Sequence, residues 1–284
     1  MNRYRFCDAT VDSDLPLPLA KFDDSARPKW RCLLSDPPFD ESNQWVWLHH
    51  WSFTGGDLAL ALGTNGSEYL FRFPDQADFV VSPASSEIEC RPKRATRKST
   101  LIQLLLHQVL PRALSHGGRL IVHASSVLVT GGAMVFLGSS EAGKSTLASY
   151  FAESGSPLLS DDCLMLKGSN GGDWTAVPSY PGPKKIRFHT EPVRVHKVCA
   201  LGPPADNTDP EHRIERMTAS AGMMSVVSGA FLLDLESPTH LQRVFELAGE
   251  LAASVPIYQL HFRRTYRALP ELGRAILDHA QGSG

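Results

Sequence analysis

The stretch Gly138-Ser-Ser-Glu-Ala-Gly-Lys-Ser-Thr146 fits the pattern G-x-x-x-x-G-K-[ST] in full. The apolar run Ala133-Met-Val-Phe-Leu137 precedes it and Leu147-Ala-Ser-Tyr-Phe151 follows. Strand, glycine-rich turn and helix in that order form the context in which such a loop cradles phosphate oxygens with its backbone N–H groups. Gly138, Ser139, Ser140, Glu141, Ala142 and Gly143 are the expected cradle. Lys144 is the expected point charge for the outer phosphates, and the hydroxyls of Ser145 and Thr146 lie at the helix start. The positive end of a helix beginning near Lys144 faces the same anion. The segment therefore predicts a nucleotide site, with ATP and Mg²⁺ the expected occupants and Ser145 a candidate metal ligand.

Seventeen residues after Lys144 stands Asp161, in Leu158-Leu-Ser-Asp-Asp162. One helix and one short strand fill that interval, enough to return a strand end to the side of the loop. Asp161 and Asp162 then read as a pair in which one carboxylate holds Mg²⁺ and the other accepts a proton from an attacking hydroxyl. Their spacing leaves open which does which; Asp161 is the candidate metal ligand. Taken alone, an Asp-Asp pair is also a common strand-end turn. His123, in Ile121-Val-His-Ala-Ser-Ser126, lies 15 residues before Gly138; on an apolar strand such a histidine is most often a core residue.

With 284 residues, 42% of them apolar, the chain can bury one large core or two modest ones. A formal net charge of −2 gives no global attraction to nucleic acid or to an anionic membrane. No apolar signal core opens the sequence, and the most apolar stretch, Leu101 to Leu110, is too short to span a bilayer. Five scattered cysteines, none in a C-x-x-C pair, argue against a disulfide or metal framework and fit a cytoplasmic protein. The remaining histidines show no metal-ligand spacing, and neither serine pair, Ser125-Ser126 or Ser139-Ser140, sits in a G-x-S-x-G elbow.

Four of five tryptophans fall within the first 51 residues, followed by short segments with strand character: Trp45–His50, Asp57–Leu62, Glu68–Phe73, Asp78–Val81 and Glu87–Cys90. Turn residues between them predict a small mainly-β domain over 1–95, ended by the basic stretch Arg91 to Lys98. Residues 96–284 form the second expected domain, an α/β core. It should contain a helix from Ser99 kinked at Pro111, strands over Leu120–Thr130, a helix from Lys144 stopped at Gly155, and strands at Pro157–Ser160 and Cys163–Lys167. A stiff loop over Val177–Pro183 and a polar loop over Asn207–Glu215 come next. The tail reads as strand Gly229–Leu235, helix Thr239–Ser254, strand Ile257–Phe262 and helix Leu269–His279.

The strings Leu120 to Val127, Phe136 to Thr146 and Leu158 to Asp162 together resemble the HPr kinase/phosphorylase family. They are more closely similar to the HPr-kinase-like proteins, some of which phosphorylate ribosomally made peptides. The resemblance covers roughly residues 100 to 190, with a weaker echo near Tyr258–Leu272. It implies a nucleotide-binding core related to phosphoenolpyruvate carboxykinase and transfer of the γ-phosphate of ATP to a serine hydroxyl of a peptide or protein. Carried over by position, Lys144, Asp161, Asp162 and His123 become catalytic candidates. Arg187, in Lys184-Lys-Ile-Arg-Phe188, is a further candidate for charge stabilisation. The family tends to assemble, so the resemblance allows a homo-oligomer, while the sequence leaves the oligomeric state open.

Two departures stand out. Glu141 occupies a place where the family usually has glycine, and a carboxylate there repels phosphate by about 1 kcal/mol in water unless it faces outward. The glycine-rich segment used for the reverse reaction has no counterpart here. An alternative reading is accordingly a nucleotide-dependent regulatory or binding module with weak or no catalysis. A transport ATPase lacks its signature stretch, and a small-molecule kinase stays open.

Overall fold

The structure, a computed structural model, describes residues 1–21, 29–35, 45–52, 55–169, 171–179, 187–203 and 212–281. It is a mixed α/β fold of two units, Met1–Gly118 with Leu232–Leu241, and Arg119–Phe231 with Gln242–Gly284. The helical stretch after the basic segment thus groups with the first unit, past the expected 95/96 boundary. Among the described residues no helix is long and apolar enough to cross a membrane. All five cysteines are free and buried.

The first unit is built on one eight-stranded sheet. Its strands are β1 (Asn2–Phe6), β2 (Ala9–Ser13), β3 (Lys29–Leu34), β4 (Val46–Ser52), β5 (Leu58–Thr64), β6 (Tyr69–Phe73), β7 (Ala77–Ser82) and β8 (Glu87–Pro92). The order is β1-β2-β3-β8-β7-β6-β5-β4, with β4 to β8 an antiparallel meander and β3 parallel to both β8 and β2. The five meander strands follow the alternation read from sequence. Strands β1 to β3 lie outside the expected set, although Arg3-Tyr4-Arg5-Phe6 of β1 does alternate; β3 pairs parallel to both of its neighbours, a pairing that no local turn announces. Asp12 on β2 is buried yet held by the Arg3 guanidinium at 2.7 and 3.3 Å. Asp78 is likewise buried beneath Arg72 at 3.3 Å and Lys93 at 3.1 Å. Lys93 of the basic stretch is therefore an ion-pair partner. Trp30 is core, whereas Trp47 stays 39% exposed with the Arg72 guanidinium 5.4 Å from its ring centre.

Helices α1 (Lys98–Leu104) and α2 (Leu110–His116) are joined by a π-helical turn over Leu105–Val109. Proline cannot donate and its ring crowds the carbonyl four residues back. The wider turn just before Pro111 absorbs that conflict, so the helix continues to His116. There His116 stacks edge-on against His240 (3.8 Å between ring centres) and Tyr69 (5.4 Å). The Tyr69 hydroxyl donates to Asp234 at 2.8 Å. This cluster ties Leu232–Leu241 to the first unit. The expected strand over Gly229–Leu235 is absent: its apolar run belongs instead to the end of helix α4 (Ala219–Gly229), a lone bridge at Ala230 and this returning segment.

The second unit holds β9 (Leu120–Val122), β10 (Ser125–Val129), β11 (Gly132–Leu137), β12 (Leu158–Ser160), β13 (Leu164–Gly168), β14 (Trp174–Pro178), β15 (Val193–Leu201), β16 (His212–Arg216) and β17 (Ile257–Phe262). Along the main path the order is β12-β10-β11-β15-β14-β13-β9, with β17 parallel to β15 and β16 on β17. β10 runs antiparallel to both β11 and β12, so β11 and β12 point the same way. Helix α3 (Lys144–Glu153) joins these two strands and ends at Gly155, as the sequence reading has it. Its Leu147, Ala148 and Phe151 are buried against Phe136, with the two phenylalanine rings stacked at 5.9 Å, and against Leu272 and Ile276 of α6 (Leu269–Gln281). Burying a Phe-sized side chain contributes about 1.5–3 kcal/mol, so this face anchors the helix. α5 (Pro238–Ser254) buries Val244, Leu247, Ala248 and Leu251. Strand β15 goes unseen in sequence because Arg194, His196 and Lys197 break its apolar run; Lys197 is buried and donates to the Ile276 carbonyl. The second half of the expected loop over Asn207–Glu215 is β16, and its residues 207–211 lie outside the described residues, as do 180–183 of the expected proline loop.

Burial, and then the neighbouring His240, push the His116 imidazole down to about 4, with Asp234 pulling the other way. The unfolded chain takes up a proton near the usual 6.5 that the folded state refuses. Stability is thus complete above that value and is lost as pH falls toward 4. In calorimetry from neutral pH to about pH 4.5, the wild-type Tm should fall further than that of His116→Phe, which keeps the ring and cannot titrate. Parallel curves would refute the assignment.

Candidate functional site

The C-terminal ends of parallel strands β11, β15 and β17 share one edge of the second sheet, the edge at which α/β sheets commonly present ligand groups. At the end of β11 the chain turns through Gly138, whose φ is 151°. A Cβ there would lie 3.1 Å from the Ala142 Cβ and 3.2 Å from the Leu201 Cβ, so the turn requires glycine. Gly143, at φ 96°, forms the left-handed N-cap of α3, and no side chain caps the first helical N–H groups. Between these glycines, Ala142 is buried while Ser139, Ser140 and Glu141 face solvent; Ser145 and Thr146 are exposed at the helix start. Glu141 adopts φ 63°, a left-handed conformation that costs a non-glycine residue of order 1 kcal/mol.

Lys144 is only 5% exposed. Its Nζ curls back to donate to the carbonyl oxygens of Gly138 and Ser139, each at 2.9 Å. Burial lowers its pKa, while the carboxylates of Asp162 and, more weakly, Asp161 favour the charged form. Loop lysine and aspartate pair therefore act on one another electrostatically. The crossover from β11 through α3 to β12 accounts for this, since it returns the chain to the same sheet edge two strands away.

Asp161, exposed, and Asp162, half-buried, follow the last residue of β12. Ser125, at the start of β10 and fully buried, places its Oγ 3.0 Å from both the Oδ1 and the main-chain oxygen of Asp161. The His123 Nδ1 lies 3.0 Å from the Asp162 main-chain oxygen. A carbonyl oxygen only accepts, so Nδ1 carries the hydrogen and Nε2 presents a lone pair when the ring is neutral. The ring also meets Phe231 edge-on at 6.1 Å between ring centres. His123 is thus tied to the turn holding the aspartates.

Arg187 is exposed, and its carbonyl accepts from the Leu158 N–H at 2.9 Å, three residues before Asp161 at the opposite end of β12. Two residues escaped the sequence reading. Arg264, just past β17, donates to the Gly202 carbonyl at 3.2 Å and to the Glu141 carbonyl at 3.4 Å, joining the end of β15 to the glycine-rich loop. An arginine pair at the end of an apolar strand, Arg263-Arg264, was the available signal. Ser125 carries no such signal, since it sits in no nucleophile motif. Among the described residues no group of three or more His, Cys, Asp or Glu is placed to hold a metal ion.

Among solved structures, the Hpr(Ser) kinase/phosphatase from Coxiella burnetii aligns with 56% of this chain and 95% of its own, at 14% identity and a TM-score of 0.31. No protein-family model and no curated protein matches the chain.

Glycine at position 141 removes the left-handed strain, offset in part by the added freedom of the unfolded chain. Glu141→Gly should melt at or above the wild-type temperature, by up to about 1 kcal/mol, whereas Glu141→Ala, which keeps a Cβ, should not gain. A Glu141→Gly variant that melts below Glu141→Ala would show that the strain is not there.

Proposed function

We propose that this chain is an ATP- and Mg²⁺-dependent kinase that transfers the γ-phosphate to a serine hydroxyl of a peptide or protein, in the manner of HPr-kinase-like enzymes. The observation that carries the reading is the strand order, which sets Lys144 at the head of α3 and the Asp161–Asp162 pair at the end of β12 on the same sheet edge, where the carboxylates favour the lysine's charge. A cation beside uncapped helical N–H groups suits phosphate oxygens. A carboxylate pair beside it suits the two remaining tasks, metal ligation and proton acceptance.

The donor set fits Mg²⁺. The Ser145 hydroxyl and the Asp161 carboxylate are hard oxygen donors, and Mg²⁺ bound with phosphates takes only one or two protein ligands beside water. When bound it would neutralise charge on the phosphate oxygens. The chain's own groups supply the rest. Lys144 leaves the Gly138 and Ser139 carbonyls for the outer phosphates, and the loop N–H groups orient the nucleotide. One aspartate accepts the proton of the attacking hydroxyl as it aligns with the γ-phosphorus. The first unit, with Trp47 exposed beside Arg72, is our choice for recognising the acceptor. The same reading makes the protein cytoplasmic, gives it no nucleic-acid or membrane partner and allows a homo-oligomer.

One observation favours a nucleotide-dependent regulatory module with little catalysis: Lys144 is engaged by its own loop, next to a strained Glu141. γ-Labelled ATP and Mg²⁺, incubated with the protein and with serine-containing precursor peptides or lysate, separates the two. Label should reach a serine, and Lys144→Met, Asp161→Asn and Asp162→Asn should each lower transfer by about 100-fold or more. Lys144-dependent ATP binding without any labelled acceptor would give the regulatory reading its place. No ATP binding at all would refute both.

A further inference from the structure

Ser125 and Ser126 are neighbours on β10, and both are fully buried, but their hydroxyls do different work. The Ser126 Oγ donates to the Met134 carbonyl at 2.9 Å, a bond inside the sheet between β10 and β11. The Ser125 Oγ leaves the sheet and meets Asp161 twice, at the main-chain oxygen and at carboxylate Oδ1, each at 3.0 Å. Asp161 itself is exposed, with its side chain past the end of β12, where a carboxylate ordinarily samples several rotamers. One hydroxyl within reach of both the main chain and the side chain of the same residue selects one of them.

We propose that Ser125 is a positioning residue: its hydroxyl donates to Asp161 and holds that carboxylate in the single orientation that faces the Lys144 loop. Since an ionised carboxylate only accepts, the Ser125 hydrogen is the complement it needs. The strand order explains why the task falls to β10. β10 lies between β11, which ends in the glycine-rich loop, and β12, which ends in the aspartates, so its first residue stands between the two. The proposal rests on the phosphoryl-transfer reading for its consequence in rate, but its geometric content stands apart from it.

The test uses the full chain as wild type, Ser125→Ala and Ser126→Ala, with Ser125→Thr and Ser125→Val as a pair of equal shape differing in the hydroxyl. The probe is MgATP with water as acceptor, read as ADP formed, alongside the three-bond ¹⁵N–¹³Cγ and ¹³C′–¹³Cγ couplings that report the Asp161 χ1 rotamer. In Ser125→Ala, kcat should fall by about 10- to 100-fold with KM for MgATP within about twofold, as expected for a misaimed group. Ser125→Thr should exceed Ser125→Val by about 10-fold, and Ser126→Ala should match the wild type. The couplings should show one rotamer in the wild type and averaging in Ser125→Ala. Unchanged kcat or unchanged couplings in Ser125→Ala overturns the proposal, and so does an equal loss in Ser126→Ala. If the wild type forms no ADP with water as acceptor, the kinase reading is left to the peptide-labelling experiment and the couplings alone decide here: averaging on loss of the hydroxyl sustains the positioning role, and a fixed rotamer refutes it. Should Ser125→Ala not fold, the Thr and Val pair decides by the same two readouts.

Discussion

An ammonium group held almost out of water, at Lys144, sets the terms for the second unit. Such a group needs oxygen around it, and here the oxygen comes from two sources with different mobility. Two carbonyls of its own loop bond it directly, and two carboxylates across the sheet edge favour its charge from further away. The first arrangement requires the loop to fold over the lysine, which demands left-handed backbone at Gly138 and Gly143. The second requires a strand that returns parallel to β11 and ends level with the loop. The apolar face of α3, packed on Phe136 and on α6, provides that return, because a helix anchored along one face can only hand the chain back on the same side of the sheet. Burial of the cation, turn geometry and crossover are thus three aspects of one constraint.

The aspartate turn is held in a complementary way. Ser125 contacts the side chain and main chain of Asp161, and His123 contacts the main chain of Asp162. Both come from the strand segment preceding the loop in sequence, so the ends of three strands, β10, β11 and β12, form a single polar rim. Arg264 adds a fourth attachment from beyond β17. A rim tied by side chains to carbonyl oxygens is stiff without being apolar. That is the property a site needs if it is to place charged groups within a fraction of an ångström.

In the first unit the same principle appears as buried ion pairing. Asp12 and Asp78 are carboxylates inside a sheet, each matched by guanidinium or ammonium groups on the adjoining strand or segment. Removing one partner from such a pair costs more than the pair itself contributes, since the remaining charge is left buried. These pairs specify register. What separates β1 to β3 from the meander is pairing: β3 lies parallel to both β2 and β8, far from β8 in sequence, whereas each strand from β4 to β8 pairs with the next one along the chain.

The sequence by itself determined the parts of this protein that depend on residues close together in the chain. The glycine-rich loop, the start and stop of α3, the meander strands and the nearness of Asp161 to Lys144 all follow from turn chemistry, periodicity and a short crossover. Only the tertiary structure decided which hydroxyl meets Asp161, that Arg264 reaches the loop from 123 positions away, that Leu232–Leu241 closes onto the first unit through Tyr69 and His116, and that β15 lies beside β11. Those outcomes depend on strand order and on which buried polar group finds a partner. Neither is written in local spacing, because the competing partners lie far apart in sequence and meet only when the apolar faces of the sheet and helices have been buried together.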